Sequence, residues 1–301
     1  MLTILHGSDL HFGKRFKAEA AQAFLEAIRD LHPDLLVLSG DFTQRAKVPE
    51  YQQARAYLHS LPDLPLVVTP GNHDVPLYRF WERLLAPLRN YREFISPELD
   101  TVTVIPGATV VSLNSTAPIR AIVNGHLRDS QLLFAAQAFE SVTRGDLKAV
   151  VLHHHLAPAP DYESDQVLQG YQRCLAAFSK MGVELILGGH LHRSYVANSL
   201  DAHPPGADAS GDRGMIIAHS GTTTSLRGRA RERNKNSFNL IGITGDLIVV
   251  THYLLEDPVE GFVPIVSHTF PRKGRGRLGV DPVLQDLEEP GGPSFSERGN
   301  Q

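Results

Sequence analysis

Short apolar runs that stop abruptly at small or polar residues dominate this 301-residue sequence. One of them, 184–187, continues through two glycines into His190 and His192, and residues two apart can project their side chains to the same side. Such runs are typical of buried strands, and in α/β sheets functional groups gather at the carboxyl ends of strands. The pattern predicts a layered fold with its chemistry collected at strand ends.

The order of strands and helices narrows the fold class further. Strands are predicted at 2–5, 35–38, 66–68, 102–105, 109–113, 149–152 and 184–187, and then without intervening helices at 215–218, 238–243, 247–253 and 262–270. Helices are predicted over 18–31, 49–61, 79–95 with an interruption at Pro87, 129–142 and 166–181. This order predicts an α/β fold, a four-layer αββα sandwich of two stacked mixed β-sheets flanked by helices.

The chain is expected to contain one domain over 1–270, followed by a poorly ordered tail over 271–301 that is rich in glycine, proline and charge. The net charge of −4 argues against a general nucleic-acid or membrane-surface binder. A single cysteine, Cys174, excludes a disulfide framework and a thiolate zinc site. No leader or bilayer-length apolar run is evident, so a cytoplasmic protein without a membrane partner is expected.

Five strand ends carry oxygen or imidazole donors. They are Asp9 and His11; Asp41; Asn72 and His73; His153, His154 and His155; and His190 and His192, which include seven of the fifteen histidines. Carboxylate, amide oxygen and imidazole suit hard divalent cations. Two cations about 3.5 to 4 Å apart need a shared carboxylate, and Asp41 at its tight turn is the candidate bridge.

The order of these motifs, Asp-x-His, Gly-Asp, Gly-Asn-His-Asp, a strand-end His and Gly-His-x-His, resembles the calcineurin-like metallophosphoesterase superfamily over residues 9–192. The resemblance implies two divalent metal ions, with manganese expected and iron or zinc as alternatives. It implies that Asp41 bridges a shell of Asp9, His11 and His192 and a second shell of Asn72, His154 and His190. The family places the strand-end ligand two residues before a proline; Leu156 stands there, so His154 is preferred with an imperfect match.

The resemblance also implies roles at the substrate. His73 is expected to face the substrate, where it could protonate or stabilise the leaving oxygen, beside Asn72. Protein Ser/Thr phosphatases of this superfamily have an aspartate where this chain has Gln44, which argues against that activity. Arg45 stands where they place a phosphate-binding arginine, although a solvated loop arginine is the alternative. Asp74 could orient a ligand or cap a helix.

Within the superfamily, Gly40-Asp41-Phe42-Thr43-Gln44, Leu113-Asn114-Ser115, and Gly125-His126-Leu127 followed by Gln131-Leu132 look like the class III cyclic nucleotide phosphodiesterases. The expected activity is therefore metal-dependent hydrolysis of a small phosphodiester such as a 3′,5′-cyclic nucleotide.

Two other functions remain open. The segment 5–14 also resembles the start of DNA repair nucleases, but no coiled-coil segment or broad basic face accompanies it. A non-catalytic scaffold would be expected to lose ligands, and all seven are present.

A basic loop (227–235) carries five basic residues against Glu232, which indicates a solvated loop or an edge that recruits phosphate or nucleic acid. The oligomeric state is open, a dimer included.

Overall fold

Twelve strands are found in the computed structural model, which describes residues 1–119, 122–158, 166–202 and 214–272. They are β1 (Leu2–Gly7), β2 (Leu35–Leu38), β3 (Leu66–Val68), β4 (Thr101–Ile105), β5 (Ala108–Ser112), β6 (Leu147–Val151), β7 (Leu185–Gly188), β8 (Tyr195–Asn198), β9 (Ile216–His219), β10 (Asn236–Ile243), β11 (Leu247–Leu255) and β12 (Phe262–Pro271). Eleven match predicted strands. β8 follows the last motif as four half-buried residues and was not predicted.

The helices are α1 (Ala18–Leu31), α2 (Val48–Ser60), α3 (Phe80–Leu85), α4 (Arg89–Phe94), α5 (Asp129–Glu140), α6 (Tyr171–Met181) and α7 (Ser199–Ala202). The predicted helix over 79–95 is two short helices, because Pro87 cannot continue the hydrogen-bond ladder between them. The predicted helix over 166–181 begins only at Tyr171, since Gly170 has a left-handed backbone. α7 was not predicted.

The strands form two mixed sheets of six strands each. The first sheet has the order β12-β11-β10-β1-β2-β3, in which β1, β2 and β3 are parallel and β10 runs antiparallel to β1. The second has the order β4-β5-β6-β7-β9-β8, with β5, β6, β7 and β9 parallel. Parallel strands end at the same edge of their sheet, so the turns after β1, β2 and β3 are neighbours, as are those after β6 and β7.

Three apolar layers show how the sheets and helices stack. In β2, Leu35 and Val37 pack between the two sheets, whereas Leu36 and Leu38 pack against helices on the other face. The second sheet has its own outer layer with α5 and α6, to which Ile186 of β7 contributes. Because both faces of each sheet are covered, strands such as β2 and β7 have no polar side chain at any position. This confirms the predicted four-layer αββα sandwich.

Where the described residues end, β12 extends to Pro271 and Arg272 is buried against the Glu184 carboxylate, 2.7 Å from Nη2 to Oε1. The predicted tail over 271–301 therefore begins inside the fold, and its remainder, 273–301, lies outside the described residues. Among the described helices, none combines the length and apolar character that a bilayer crossing requires.

Candidate metal centre

The five predicted ligand turns meet at the edge where both sheets end. Between the turns that follow β1 and β2, the Asp9 N–H donates to the Gly40 carbonyl at 3.0 Å. Between the turns that follow β6 and β7, the Gly189 N–H donates to the His153 carbonyl at 3.0 Å. The sheets are joined by the His190 N–H, which donates to Asp9 Oδ2 at 3.0 Å. The turns thus form one hydrogen-bonded unit.

Five of the predicted ligands have a left-handed backbone. Their φ angles are 56° at Asp9, 51° at His11, 55° at Asp41, 74° at His190 and 56° at His192. Only nine non-glycine residues of the described ranges have positive φ, so more than half are predicted ligands. This conformation costs about 1 to 2 kcal/mol per residue and persists where the surroundings enforce it, often at functional sites.

A distant loop enforces the first of these turns. The Thr222 hydroxyl donates to the Asp9 carbonyl at 2.7 Å across 213 residues, and the Thr224 hydroxyl donates to the Leu10 carbonyl at 2.8 Å. All four residues are buried. The backbone that presents Asp9 is therefore satisfied by side chains that follow β9.

A first donor group consists of Asp9, His11, Asp41 and His192, all buried, with ligand atoms within 4.8 Å of one another. His11 Nε2 lies 3.5 Å from Asp9 Oδ1 and 3.6 Å from Asp41 Oδ2. His192 Nε2 lies 3.2 Å from Asp9 Oδ1 and 3.1 Å from His11 Nε2. The four side chains point at a common centre.

Backbone carbonyls set the orientation of both imidazoles in this group. His11 Nδ1 lies 3.3 Å from the Thr43 carbonyl, and His192 Nδ1 lies 3.1 Å from the Arg227 carbonyl. Since a carbonyl only accepts, each Nδ1 donates and each Nε2 presents its lone pair inward. This is the usual way in which a protein prepares histidine to bind a metal.

A second donor group consists of Asn72, His153 and His190. Asn72 Oδ1 is 3.2 Å from His153 Nε2 and 3.0 Å from His190 Nδ1, and the two histidine nitrogens are 3.3 Å apart. His153 Nδ1 is 2.8 Å from the Ser39 carbonyl, to which it donates, so its Nε2 is also an inward lone pair.

The structure places His153 in this position rather than the predicted His154. The His153 ring fits there because Gly40 has no side chain; a Cβ on Gly40 would lie 2.5 Å from His153 Nδ1. His154 is buried beside the group, with Nδ1 2.8 Å from Ser115 Oγ and its ring centroid 4.9 Å from that of His190. The choice of His154 is therefore corrected to His153.

Asp41 lies between the two groups and faces both. Its Oδ2 faces His11, whereas its Oδ1 lies 3.5 Å from His153 Nε2 and accepts the His73 N–H at 2.8 Å. We call the two groups together the donor cage; it consists of Asp9, His11, Asp41, Asn72, His153, His190 and His192. One carboxylate shared by two sets of donors is the arrangement predicted for a bridging ligand.

The donor cage fits divalent cations. Asp9 Oδ1 and Asp41 Oδ2 are buried and accept no hydrogen bond, although buried carboxylate oxygens normally have a partner. Burial and the charge of Asp9 raise the pKa of Asp41 well above its ordinary value, so an added positive charge would favour its ionised form. Burial lowers the pKa of His11 and of His190, which keeps both imidazoles in the neutral form that binds metal.

One side of the donor cage is partly exposed, and we call it the mouth; His73 and Arg227 lie there. The Nδ1 of His73 lies 2.8 Å from the Gln44 carbonyl and donates to it, and the His73 ring centroid is 4.9 Å from that of His11. Burial, followed by the charge of Arg227, lowers the pKa of His73 to about 3. The ring is therefore neutral, with its Nε2 lone pair turned away from Gln44. The predicted role at the leaving oxygen stays a prediction.

Asp74 connects the turn of Asp41 to the turn of Asn72. It accepts the backbone N–H groups of Phe42 at 3.1 Å and Gly71 at 3.0 Å through Oδ2. It accepts the N–H of Thr43 at 2.9 Å and the Thr43 hydroxyl at 3.0 Å through Oδ1. Of the two predicted roles, this geometry favours orientation of the ligand turns over a simple helix cap.

The structure does not bring the Arg45 guanidinium into the donor cage. Arg45 is exposed, and its guanidinium lies 5.3 Å from the centre of the Tyr78 ring. Its backbone N–H donates to Glu50 Oε2 at 2.7 Å. This position matches the alternative of a loop arginine.

Arg227, which was not among the predicted site residues, is the guanidinium at the mouth. Its Nη1 lies 3.0 Å from His73 Nε2 and donates to that nitrogen. Burial lowers the pKa of Arg227, and the nearby Asp41 and Asp9 oppose that change. The sequence shows 227–235 as a basic loop, but no motif spacing distinguishes Arg227 from the other basic residues of that loop.

Sequence comparison assigns the family. The profile of the calcineurin-like phosphoesterases matches residues 2–194, which include every residue of the donor cage. The chain belongs to the calcineurin-like phosphoesterase family. Membership in this phosphoesterase family and the candidate cage agree with the resemblance in the motifs.

Among curated proteins, the chain is 27% identical over 178 residues to a protein of Synechococcus sp. named "probable cyclic nucleotide phosphodiesterase". That similarity covers 58% of this chain and 64% of the relative, so it spans less than two thirds of the relative's length.

Solved structures share the fold. A purple acid phosphatase from yellow lupin (Lupinus luteus) seeds matches with a TM-score of 0.62 at 13% identity, over 91% of this chain and 54% of that one. A dimetal phosphatase from Danio rerio matches with a TM-score of 0.61 at 12% identity, over 90% of this chain and 99% of that one. These likenesses support the fold assignment.

Proposed function

We propose that this protein hydrolyses phosphodiesters with two divalent cations held in the donor cage. The observation that carries the proposal is Asp41, whose Oδ2 faces His11 at 3.6 Å and whose Oδ1 faces His153 at 3.5 Å. Asp9, His11 and His192 would complete one site, and Asn72, His153 and His190 the other. When bound, such a pair supplies Lewis acidity for the phosphoryl oxygens and for the attacking water.

The protein's own residues support the same reaction around the cations. The cage walls hold the carboxylates of Asp9 and Asp41 away from water, which strengthens their hold on positive charge. His73 presents a neutral imidazole at the mouth, and its Nε2 would have to take up a proton, such as one released by the attacking water, before it could protonate a leaving oxygen. Carboxylate, amide and imidazole donors suit manganese, which we propose as the native metal, with iron or zinc as alternatives.

For the substrate we propose a small diester, such as a 3′,5′-cyclic nucleotide, in a cytoplasmic protein. The class III motifs in the sequence and the Synechococcus relative's name support this choice. A second candidate is a nuclease of the same family. Arg15 and Arg229 help to lower the pKa of Arg227, and this added positive charge would favour a polynucleotide.

A substrate panel after metal depletion tests the proposal. Bis-p-nitrophenyl phosphate, 3′,5′-cyclic nucleotides, p-nitrophenyl phosphate and single- and double-stranded DNA would be supplied with Mn²⁺, Fe²⁺ or Zn²⁺ in turn. We expect turnover of the small diesters to return with Mn²⁺. Faster cleavage of DNA would support the nuclease instead.

Two variants give this experiment its controls. Asp41→Asn should lose metal binding and turnover together, because it removes the charge shared by both donor groups. Asp30→Asn, which changes an exposed carboxylate on α1, should behave like the wild type. A wild type that binds no metal and cleaves no ester in the panel would point to the scaffold function.

A further inference from the structure

The backbone of Arg227 is fastened to the rim of the donor cage. The Arg227 carbonyl accepts from His192 Nδ1 at 3.1 Å, and the Arg229 N–H donates to the His192 carbonyl at 3.0 Å. On the other side, the Leu226 N–H donates to the Arg15 carbonyl at 2.9 Å. The position of the Arg227 side chain is therefore fixed relative to a metal ligand.

The guanidinium of Arg227 is half-buried, and no anionic group among the described residues contacts it. Its Nη1 donates to the neutral His73 ring, 3.0 Å away at Nε2. In the described ranges, no carboxylate oxygen lies within 4.0 Å of its nitrogens. A partly desolvated guanidinium normally pairs with an anion or with several acceptors. Here one imidazole nitrogen takes that place.

The local charge balance favours an anion at the mouth. Asp9 and Asp41 attract the Arg227 guanidinium from inside the cage, without touching it. Two divalent cations would more than neutralise these two carboxylates, which leaves the mouth positive. An anion that reaches both the cations and the guanidinium is then the group that the mouth favours, and a phosphoryl group has oxygens for both.

We propose that Arg227 binds a non-bridging oxygen of the substrate's phosphoryl group, and that this oxygen replaces His73 Nε2 as the acceptor of its N–H. This inference rests on the proposed phosphoesterase function. It assigns to Arg227, 35 residues beyond His192, the phosphate contact that was predicted for Arg45. It also removes the present donor from the His73 Nε2 lone pair once substrate is bound.

Titration calorimetry with inorganic phosphate tests the contact without requiring turnover. The Mn²⁺-loaded wild type would be compared with Arg227→Met, Arg227→Lys and Arg233→Met, the last an exposed arginine of the same loop. We expect Arg227→Met to weaken phosphate binding about 10- to 100-fold, the range for a hydrogen bond to a charged partner. Lysine should restore part of the affinity, since it keeps the charge but not the forked donors.

Metal content and kinetics separate this role from a structural one. All three variants should retain the Mn²⁺ stoichiometry of the wild type, because the carbonyl that orients His192 belongs to the backbone. Unchanged phosphate affinity in Arg227→Met, with only a lower kcat, would mean that the side chain merely positions His73, and would overturn the inference.

The two proposals can fail separately. A wild type that binds phosphate through Arg227 but cleaves no ester would count against the proposed function alone. If the wild type cleaves diesters and Arg227→Met binds phosphate as well as the wild type does, only the role of Arg227 is contradicted. A Mn²⁺-loaded wild type that binds no phosphate would overturn the role of Arg227 whatever its turnover.

Discussion

Substitution of Asp74 by asparagine tests whether the two ligand turns are braced against each other. Each carboxylate oxygen accepts two hydrogen bonds, from Phe42 and Gly71 at one oxygen and twice from Thr43 at the other. The asparagine amide keeps one oxygen and turns an NH₂ group toward the other two donors. Each hydrogen bond to a charged acceptor contributes about 1.5 to 3 kcal/mol, so Asp74→Asn should lower the free energy of unfolding by about 3 to 6 kcal/mol.

The size of this loss separates the two roles predicted for Asp74. If the residue were only a cap for the short helical turn, its loss would cost about 1 kcal/mol. Urea unfolding of the metal-free protein near neutral pH measures the difference, with Asp30→Asn as the control for loss of one exposed carboxylate. The Mn²⁺ affinity should also fall about 10- to 100-fold, as for other groups that orient ligands. A loss below about 1 kcal/mol with normal Mn²⁺ affinity would refute the bracing role.

Three further predictions use single changes at or near the cage. His73→Ala should keep its metals and lose about 10²- to 10⁴-fold in kcat on a diester with a poor leaving group, and wild-type turnover there would remove His73 from the chemistry. Gly71→Ala should lower Mn²⁺ affinity, since its Cβ would lie 2.1 Å from Asp41 Oδ1, whereas Gly245→Ala has no atom within 4 Å and should not. His6 is fully buried with its pKa lowered to about 3, so its contribution is complete above the unfolded value of 6.5 and is lost as the pH falls toward 3. Between about pH 7.5 and about pH 5 the wild type should lose about 2 kcal/mol more unfolding free energy than His6→Gln, and equal losses in urea titrations would contradict this.

The sequence predicted the fold because its signals are local and repeated. An apolar run followed by a glycine and an acid, as at Leu38 to Asp41, defines both a strand and its end, and parallel strands then gather those ends. β8 lacked such a signal, since its four residues are only half-buried.

Two features of the site depend on contacts that no local pattern encodes. His153 and His154 are adjacent and chemically identical, and the room for the His153 ring is made by the missing side chain of Gly40, more than a hundred residues away. Arg227 is one of five basic residues in its loop, and only the fold places it 3.0 Å from His73. In both cases the local sequence does not distinguish the residue from its chemically similar neighbours.

The hydroxyls of Thr222 and Thr224 have a consequence for dissecting this protein. The stretch matched by the family profile ends at residue 194, yet the backbone that presents Asp9 depends on these two side chains, and β1 has β10 as its neighbour. A fragment ending at 194 would contain every residue of the donor cage but would expose one edge of β1 and leave two buried carbonyls unpaired. The shortest fragment that folds and binds metal should therefore extend at least through β10, well past the last recognisable motif.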